Sequence, residues 1–390
     1  MSATGIVSEQ ERLARCALSR VAEPGDWAVD DALMRGPATE VWAALKAGAP
    51  LGNLGQRALD GMALRIKAAE PERDLERLEA AGGRLLCPGD EEWPDGLEWQ
   101  DDVLHGDIKQ MAPPWALFVR GPAHLRRATQ QAVSVVGARA STAYGNEVAH
   151  ELAFELAQAG VTVVSGAAYG IDGAAHRGAL AAEAAPTVAV LACGVDRAYP
   201  SGHTSLLAEI ACTGLIVSEW PPGSSVTRTR FLVRNRVVAA LSRGTVVVES
   251  ALRSGSHSTA SRALELGRSV MAVPGPVTSR MSAGGHQLVR DQKAVLVTDA
   301  SEVLELASPT GQNLLAPKRG TVHPRDALQE QARRVLDALP VRTPMGVARV
   351  AAAAGVSALV VQQVLPALLL AGLAEQRDGG WRLTALGAAP

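Results

Sequence analysis

Seven short apolar runs recur between Pro114 and Ala300, separated by helical stretches, and this alternation limits the fold more than any other feature of the chain. The runs are Ala132–Val136, Val161–Val164, Thr187–Leu191, Leu215–Val217, Thr245–Val248, Val270–Val273 and Ala294–Val297. They are nearly continuous in apolar residues, the pattern of parallel strands covered on both faces. Between them, Tyr144–Ala159 carries Val148, Leu152 and Leu156 on one helical stripe, and Ala174–Glu183 reads as a second helix. The expected fold is α/β, a doubly wound and mostly parallel sheet. With 47% hydrophobic and 20% charged residues the chain can bury a core, which excludes a wholly disordered protein.

The flanks read differently. Residues 1–85 are helical in pattern, with runs at Glu11–Val21 and Val41–Leu45 and a turn at Leu51–Gly55. In the helical stretch Arg65–Ala81, Pro71 opens the second half and Gly82-Gly83 stops it. Cys87–Pro114 reads as a lead-in or loop, and the core is expected over 86–305. A linker covers 306–325, broken by Pro309, Pro317 and Pro324. Residues 326–390 then show helix, turn, helix and a Gly379-Gly380 turn between short strands, which suggests a winged helix-turn-helix. Val350–Ala374 carries no charge and is long enough to span a membrane, but Gly355, Ser357, Gln362, Gln363 and Pro366 predict two short helices instead. The charged residues among Met1–Arg20 leave no signal-peptide core. Four cysteines without a C-x-x-C pair fit a reducing compartment, so the expected location is cytoplasmic.

Four segments carry chemistry. The loop Gly137-Ala138-Arg139 follows the first strand, at the end where open α/β sheets bind ligands. Helix N-terminal N–H groups there favour an anion, and Arg139 adds a fork of donors suited to phosphate, although a tight turn with a solvated Arg fits as well. Ser165-Gly166-Ala167-Ala168-Tyr169-Gly170 repeats the strand, Gly-rich loop and helix design, but matches neither G-x-G-x-x-G nor a Walker loop. Asp172 and His176 stand four apart on one helix face; a packed His and a first-turn acid fit better than a metal site, because no further ligand cluster accompanies them. Arg228, Arg230, Arg234 and Arg236 surround Phe231 in a chain with three Phe and a net charge of -2, so any polyanion site must be local. Arginines neutralise phosphates and an aromatic face stacks on unpaired bases, against the ordinary reading of a basic helix start with Phe231 in the core. Finally the segment Glu249-Ser250-Ala251-Leu252-Arg253-Ser254-Gly255-Ser256-His257-Ser258-Thr259-Ala260 follows the run Thr245–Val248, where small hydroxyl residues serve as phosphate donors or as helix caps. No G-x-S-x-G elbow accompanies them, so no catalytic residue is assigned.

In this order the segments resemble the DNA-processing protein A family (DprA, also called Smf). The matching pieces are Val136-Gly137-Ala138-Arg139 with Tyr144-Gly145, Ser165-Gly166 with Gly170-Ile171-Asp172 and His176, and Gly194-Val195-Asp196 with Tyr199-Pro200. They continue with Ser218-Glu219 and Pro221, Phe231 with Arg234-Asn235-Arg236 and Leu241-Ser242, Val248-Glu249 with Ser254-Gly255-Ser256 and Thr259-Ala260, and Val273-Pro274-Gly275. The resemblance covers Trp115–Val297 strongly; the flanking domains match by pattern and position. It implies a Rossmann-like core without catalysis or cofactor, an N-terminal helical domain of the SAM or helix-hairpin-helix kind, single-stranded DNA binding, homodimers, protection of incoming DNA, and loading of the RecA recombinase during natural transformation and recombination. It also implies that Arg139 grips phosphate, Phe231 stacks on a base, and Arg228, Arg234 and Arg236 complete a basic surface. The full expected DNA-binding set is Gly137, Arg139, Ser165, Gly166, Arg228, Phe231, Arg234, Asn235, Arg236, Ser254, Gly255, Ser256 and Thr259. Three departures stand out: Ala138 where Ser is usual, His257 where Leu is frequent, and the segment Gly285–Ala294, near the family's dimer and RecA-contact surface.

Two other functions compete. A Rossmann-like nucleotide phosphoribohydrolase would use Glu249, but its P-G-G-x-G-T-x-x-E segment is absent from the sequence. A transcription regulator would rest on the C-terminal domain alone. The presumed recognition helix Ser357–Leu370 has no basic residue, which favours protein interaction or dimer support over duplex DNA binding through Arg377 and Arg382.

Overall fold

The computed structural model describes residues 7–49, 56–97, 112–315 and 324–388. The chain divides into two compact units, Met1–Leu315 and Ala316–Pro390. The expected turn Leu51–Gly55 lies outside the described residues, as do 316–323 of the expected linker.

Helices open the first unit: α1 Glu9–Val21, α2 Trp27–Arg35, α3 Ala38–Ala47, α4 Gln56–Lys67 and α5 Pro71–Ala80. Ser8 caps α1 by accepting from the Glu11 N–H at 3.2 Å, the Ser-x-x-Glu spacing of a capping box. Pro71 is the first residue of α5, where its missing N–H costs nothing. Part-buried and buried polar contacts tie these helices to one another and to the sheet domain. Arg20 forks onto Asp74 at 2.7 and 2.8 Å and also donates to the Pro222 carbonyl at 2.7 Å. The Trp115 indole donates to buried Asp30.

The sheet has nine strands: β1 Gly83–Leu86, β2 Leu117–Arg120, β3 Ala132–Val136, β4 Thr162–Ser165, β5 Thr187–Leu191, β6 Leu215–Ser218, β7 Gly244–Val247, β8 Ser269–Ala272 and β9 Val295–Leu296. Their order is β1-β2-β6-β5-β4-β3-β7-β8-β9. The last seven in that order are parallel, and β2 joins β6 antiparallel in the register Val119 to Val217. All seven apolar runs are thus strands of one doubly wound sheet. The antiparallel pair β1 and β2 was not anticipated, although Ala116–Val119 is itself a buried apolar run. Both faces are covered. On one, Val133, Val135, Val163 and Val246 pack with Leu152, Leu156 and Ala175 of α7 Ala143–Gln158 and α8 Ile171–Ala182. On the other, Val136, Val188 and Val247 pack with Val237 and Ala263 of α10 Arg228–Ala240 and α11 Ser256–Glu265. The remaining helices of this unit are α6 Leu125–Thr129, α9 Thr204–Thr213, α12 Ala283–Arg290 and α13 Ala300–Ala307.

Strand order reverses at β3, which lies between β4 and β7. The chain winds outward from β3 to β6, then returns to β7 on the other side. Loops leaving neighbouring strands in opposite directions open a crevice at the carboxyl end of the sheet.

The second unit holds α14 Glu330–Asp337, α15 Val347–Ala354, α16 Ala358–Leu370 and a hairpin of β10 Ala374–Arg377 with β11 Gly380–Leu383. Val335, Val350, Val361, Leu365 and Leu368 form its core. Gly355, at φ 65°, ends α15, and Ser357 caps α16 by accepting from Val360 N–H. The two short helices expected here divide at Gly355, and Pro366 lies inside α16, with both it and Gln362 exposed, so the backbone bond that it removes lies on the solvent side. Among the described residues no single helix is long and apolar enough to cross a membrane; α15 and α16 pass that test only as a pair, bent by 102°.

Candidate nucleic-acid interface

A cleft of about 850 Å³ occupies the switch point. Eleven of the thirteen expected residues line it, all but Ser165 and Arg236. The floor is built from close approaches. A Cβ on Gly137 would meet the Ile171 side chain at 2.5 Å and the Glu249 carbonyl at 2.8 Å. Gly166 lies under the guanidinium of Arg234, with no room for a side chain.

The two exceptions are corrections. Ser165 is fully buried and donates its hydroxyl to the Val135 carbonyl at 2.6 Å, joining β4 to β3 instead of facing a ligand. Arg236 is 0% exposed and forks onto Glu219 at 2.7 and 2.9 Å. It belongs to the interior and adds nothing to a basic surface. Burial raises the Glu219 carboxyl above its ordinary range, with Arg236 opposing that rise.

The rest of the arginine cluster is divided by helical periodicity. Arg228 opens α10 and is exposed at the cleft. Arg230 turns away, forks onto Glu23 at 2.6 and 3.0 Å, and lies 5.3 Å over the Trp220 ring. Arg234 is buried in the cleft wall, where it donates to the Val190 carbonyl, and burial pulls its guanidinium down to about 10. Asp172 opposes that fall, and its own carboxyl is raised by burial and lowered in turn by Arg234. Asp172 also accepts from the Ala168 N–H at 3.3 Å and so closes the second loop. His176 bonds Thr187 Oγ1 at 2.8 Å, and burial pushes it down to about 3.

Arg139 is exposed at the cleft, its guanidinium carbon 4.7 Å from the centre of the Phe231 ring. Asn235 donates to the Gly255 carbonyl at 3.2 Å and so fixes the serine-rich loop to α10. In that loop the hydroxyls of Ser254 and Ser256 are 2.8 Å apart, and buried Thr259 sits one turn further along α11. Arg253, beside them, is exposed and lines the cleft; it stood in the sequence segment but outside the expected set.

Glu249 overturns one expectation. The first helix N-terminus does hold an anion, but it is the protein's own. Glu249 is buried and accepts from the Thr142 N–H at 2.8 Å and from the Thr142 hydroxyl at 2.7 Å, at the start of α7. Its carboxylate also presses on Gly145, where no side chain would fit. External phosphate therefore has the arginines and the serine-rich loop to meet, not this helix end.

The model of the DNA recombination-mediator protein A family matches residues 84–308. The chain belongs to this family. The match spans every strand from β2 to β9 and every residue of the cleft. A Mycobacterium tuberculosis protein that bears the name DNA processing protein DprA is 43% identical over 386 residues, covering 95% of this chain and 94% of that one. The Bacillus subtilis DprA is 36% identical over 242 residues, 62% of this chain and 80% of the relative. The solved Streptococcus pneumoniae DprA superposes with a TM-score of 0.61 at 26% identity, covering 77% of this chain and 98% of that structure. Family membership places the chain in DNA processing.

Proposed function

We propose that the cleft binds single-stranded DNA without catalysis, and that the protein works as a homodimer that delivers such DNA to RecA. The observation that carries this reading is the joining of Arg139, Arg228 and Arg253 around Phe231: three exposed cations and one aromatic face at a single crevice. Cations track the backbone, and a ring accepts any unpaired base. Duplex DNA offers no such base face to the ring. The state of Glu249 speaks against nucleotide hydrolysis, because both its oxygens are committed to Thr142. Dimerisation finds support in β9, an edge strand whose Val295 and Leu296 are exposed. We read the second unit as a winged helix that binds protein: α16 offers no cation, and Arg382 of the hairpin is paired with Glu375.

The test is fluorescence anisotropy of a labelled ~20-mer, single-stranded against duplex, at two salt concentrations. Single strands should bind preferentially, with a log–log salt slope of ~-0.7 per phosphate neutralised. Arg139→Ala should cripple that binding, and Phe231→Ala should cost ~1–3 kcal/mol. Binding that ignores salt, or a duplex preference that Arg139→Ala leaves untouched, overturns the reading. Release of free base from nucleoside monophosphates, abolished by Glu249→Ala, would return the hydrolase. Unchanged duplex affinity in an Arg377→Ala, Arg382→Ala double variant is expected for the second unit.

A further inference from the structure

Phe231 is part of a larger aromatic surface. Tyr199 lies beside it, ring centroids 5.5 Å apart and planes inclined by 47°. Tyr169, Tyr199, Phe231 and Arg139 line one dent of about 40 Å³ next to the main cleft. That volume suits one water-sized group, so a base can lie across the rings but not enter between them. Both tyrosines are exposed, Tyr169 at 47% and Tyr199 at 39%. The chain has only three Tyr and three Phe, and three of these six rings meet here.

The rings are supported from behind. Tyr169 meets His203 edge-on at 4.9 Å, and its hydroxyl accepts from the Gly202 N–H at 3.3 Å. Cations border them. Arg197, exposed, donates to the Ser225 hydroxyl at 2.9 Å. Arg177, also exposed, shares with His203 the space over Gly173. Neither arginine forms an ion pair among the described residues. Exposed rings flanked by guanidinium groups outside any described ion pair are what a single strand needs beyond its first base: faces for stacking and charge for the phosphates.

We propose that Tyr199 and Tyr169 extend the platform past Phe231 and hold a second unpaired base, with Arg197 and Arg177 on its flanking phosphates. This rests on the reading of the cleft as a single-stranded DNA site. It assigns the direction of the strand across the protein, from the Arg228 lip over Phe231 toward the loops that follow β4 and β5.

The experiment compares labelled oligothymidylates from ~4 to ~12 nucleotides on the full chain, within the site sizes usual for single-strand binders. Wild type should gain affinity as the oligonucleotide grows long enough to reach the tyrosines. The Tyr169→Ala, Tyr199→Ala double variant should keep wild-type affinity for the shortest oligonucleotide and fall ~5- to ~100-fold below it on longer ones. Tyr199→Phe with Tyr169 intact should stay close to wild type, which separates stacking from misfolding. Arg177→Glu with Arg197→Glu should also flatten the salt slope by ~0.7 for each phosphate no longer neutralised. A double tyrosine variant that matches wild type at every length, while Arg228→Ala weakens all of them, overturns the extension and leaves the cleft reading standing. Failure of wild type to bind any of the oligonucleotides overturns the cleft reading itself.

Discussion

α10 and α16 are both thirteen residues long, and each reverses what its composition suggests. α10 holds four arginines, yet only Arg228 is exposed; Arg234 and Arg236 are buried and Arg230 is tied to Glu23. α16 carries no charge, yet Leu359 and Leu370 are 64% and 89% exposed. The difference lies in what surrounds each helix. α10 runs along a nine-stranded sheet that supplies Glu219 and backbone carbonyls as partners for its charges. Within its own unit α16 lies against two short helices and a hairpin, which bury Val361, Leu365 and Leu368 and partly cover Val364. A helix buries what its neighbours can satisfy, whatever its mean polarity.

Arg236→Ala breaks the α10 side of this comparison most severely. It leaves the buried Glu219 carboxylate without its partner, and removing one member of a buried pair costs ~3–5 kcal/mol. Urea denaturation should show that loss, with a lower midpoint. Replacing both partners, Arg236→Met with Glu219→Leu, should recover most of it, because the charge that needed compensation is gone as well. A single variant as stable as wild type would mean that Arg236 is not buried as described.

Asp30 sharpens the same point with pH. Burial pushes its carboxyl up to about 7, against the Trp115 indole that donates to it and the nearby charge of Arg236. Between its ordinary value near 3.8 and about 7, the folded chain keeps a proton that the unfolded chain releases. Stability therefore falls as pH rises through that window and levels off above it. Asp30→Asn keeps an acceptor for Trp115 and removes the titration. Its Tm should match wild type near pH 4 and exceed it near pH 8, by an amount equivalent to ~2–4 kcal/mol. Equal pH profiles for the two proteins would show that the Asp30 site is wetter than its geometry indicates.

The sheet was largely legible in the sequence because parallel strands buried on both faces leave continuous apolar runs, and each of the seven runs matches a strand within one or two residues. β1 and β2 escaped because they are short antiparallel additions at one edge, flanked by the Trp- and Pro-rich stretch that reads as loop. The cleft residues were legible as loops at strand ends. Their accessibility was not. Arg236 and Arg228 lie in one helix with identical chemistry, and only Glu219, on a segment seventeen residues earlier, decides that one is interior. Glu249 lies 107 residues from Thr142, so no local pattern shows that it fills the first helix end. Arg253 carried a signal, a lone cation between the exposed Leu252 and the serines, which the expected set passed over.

The smallest effect is expected on α16. Leu359 and Leu370 are among its most exposed side chains, so Leu359→Lys with Leu370→Lys removes almost no buried area within the chain. Thermal stability should shift by no more than ~0.5 kcal/mol, the range of surface changes that touch nothing. The same substitutions at Leu365 and Leu368, which are buried, should unfold the second unit outright, since a cation would then lie in its core. The pairing makes the comparison falsifiable in one helix. If the exposed pair proves as damaging as the buried pair, α16 is covered in solution, and a surface that is idle in the single chain is a working interface. If only the buried pair is damaging, α16 exposes leucine for the same reason that α10 hides arginine: each helix takes the burial its neighbours provide.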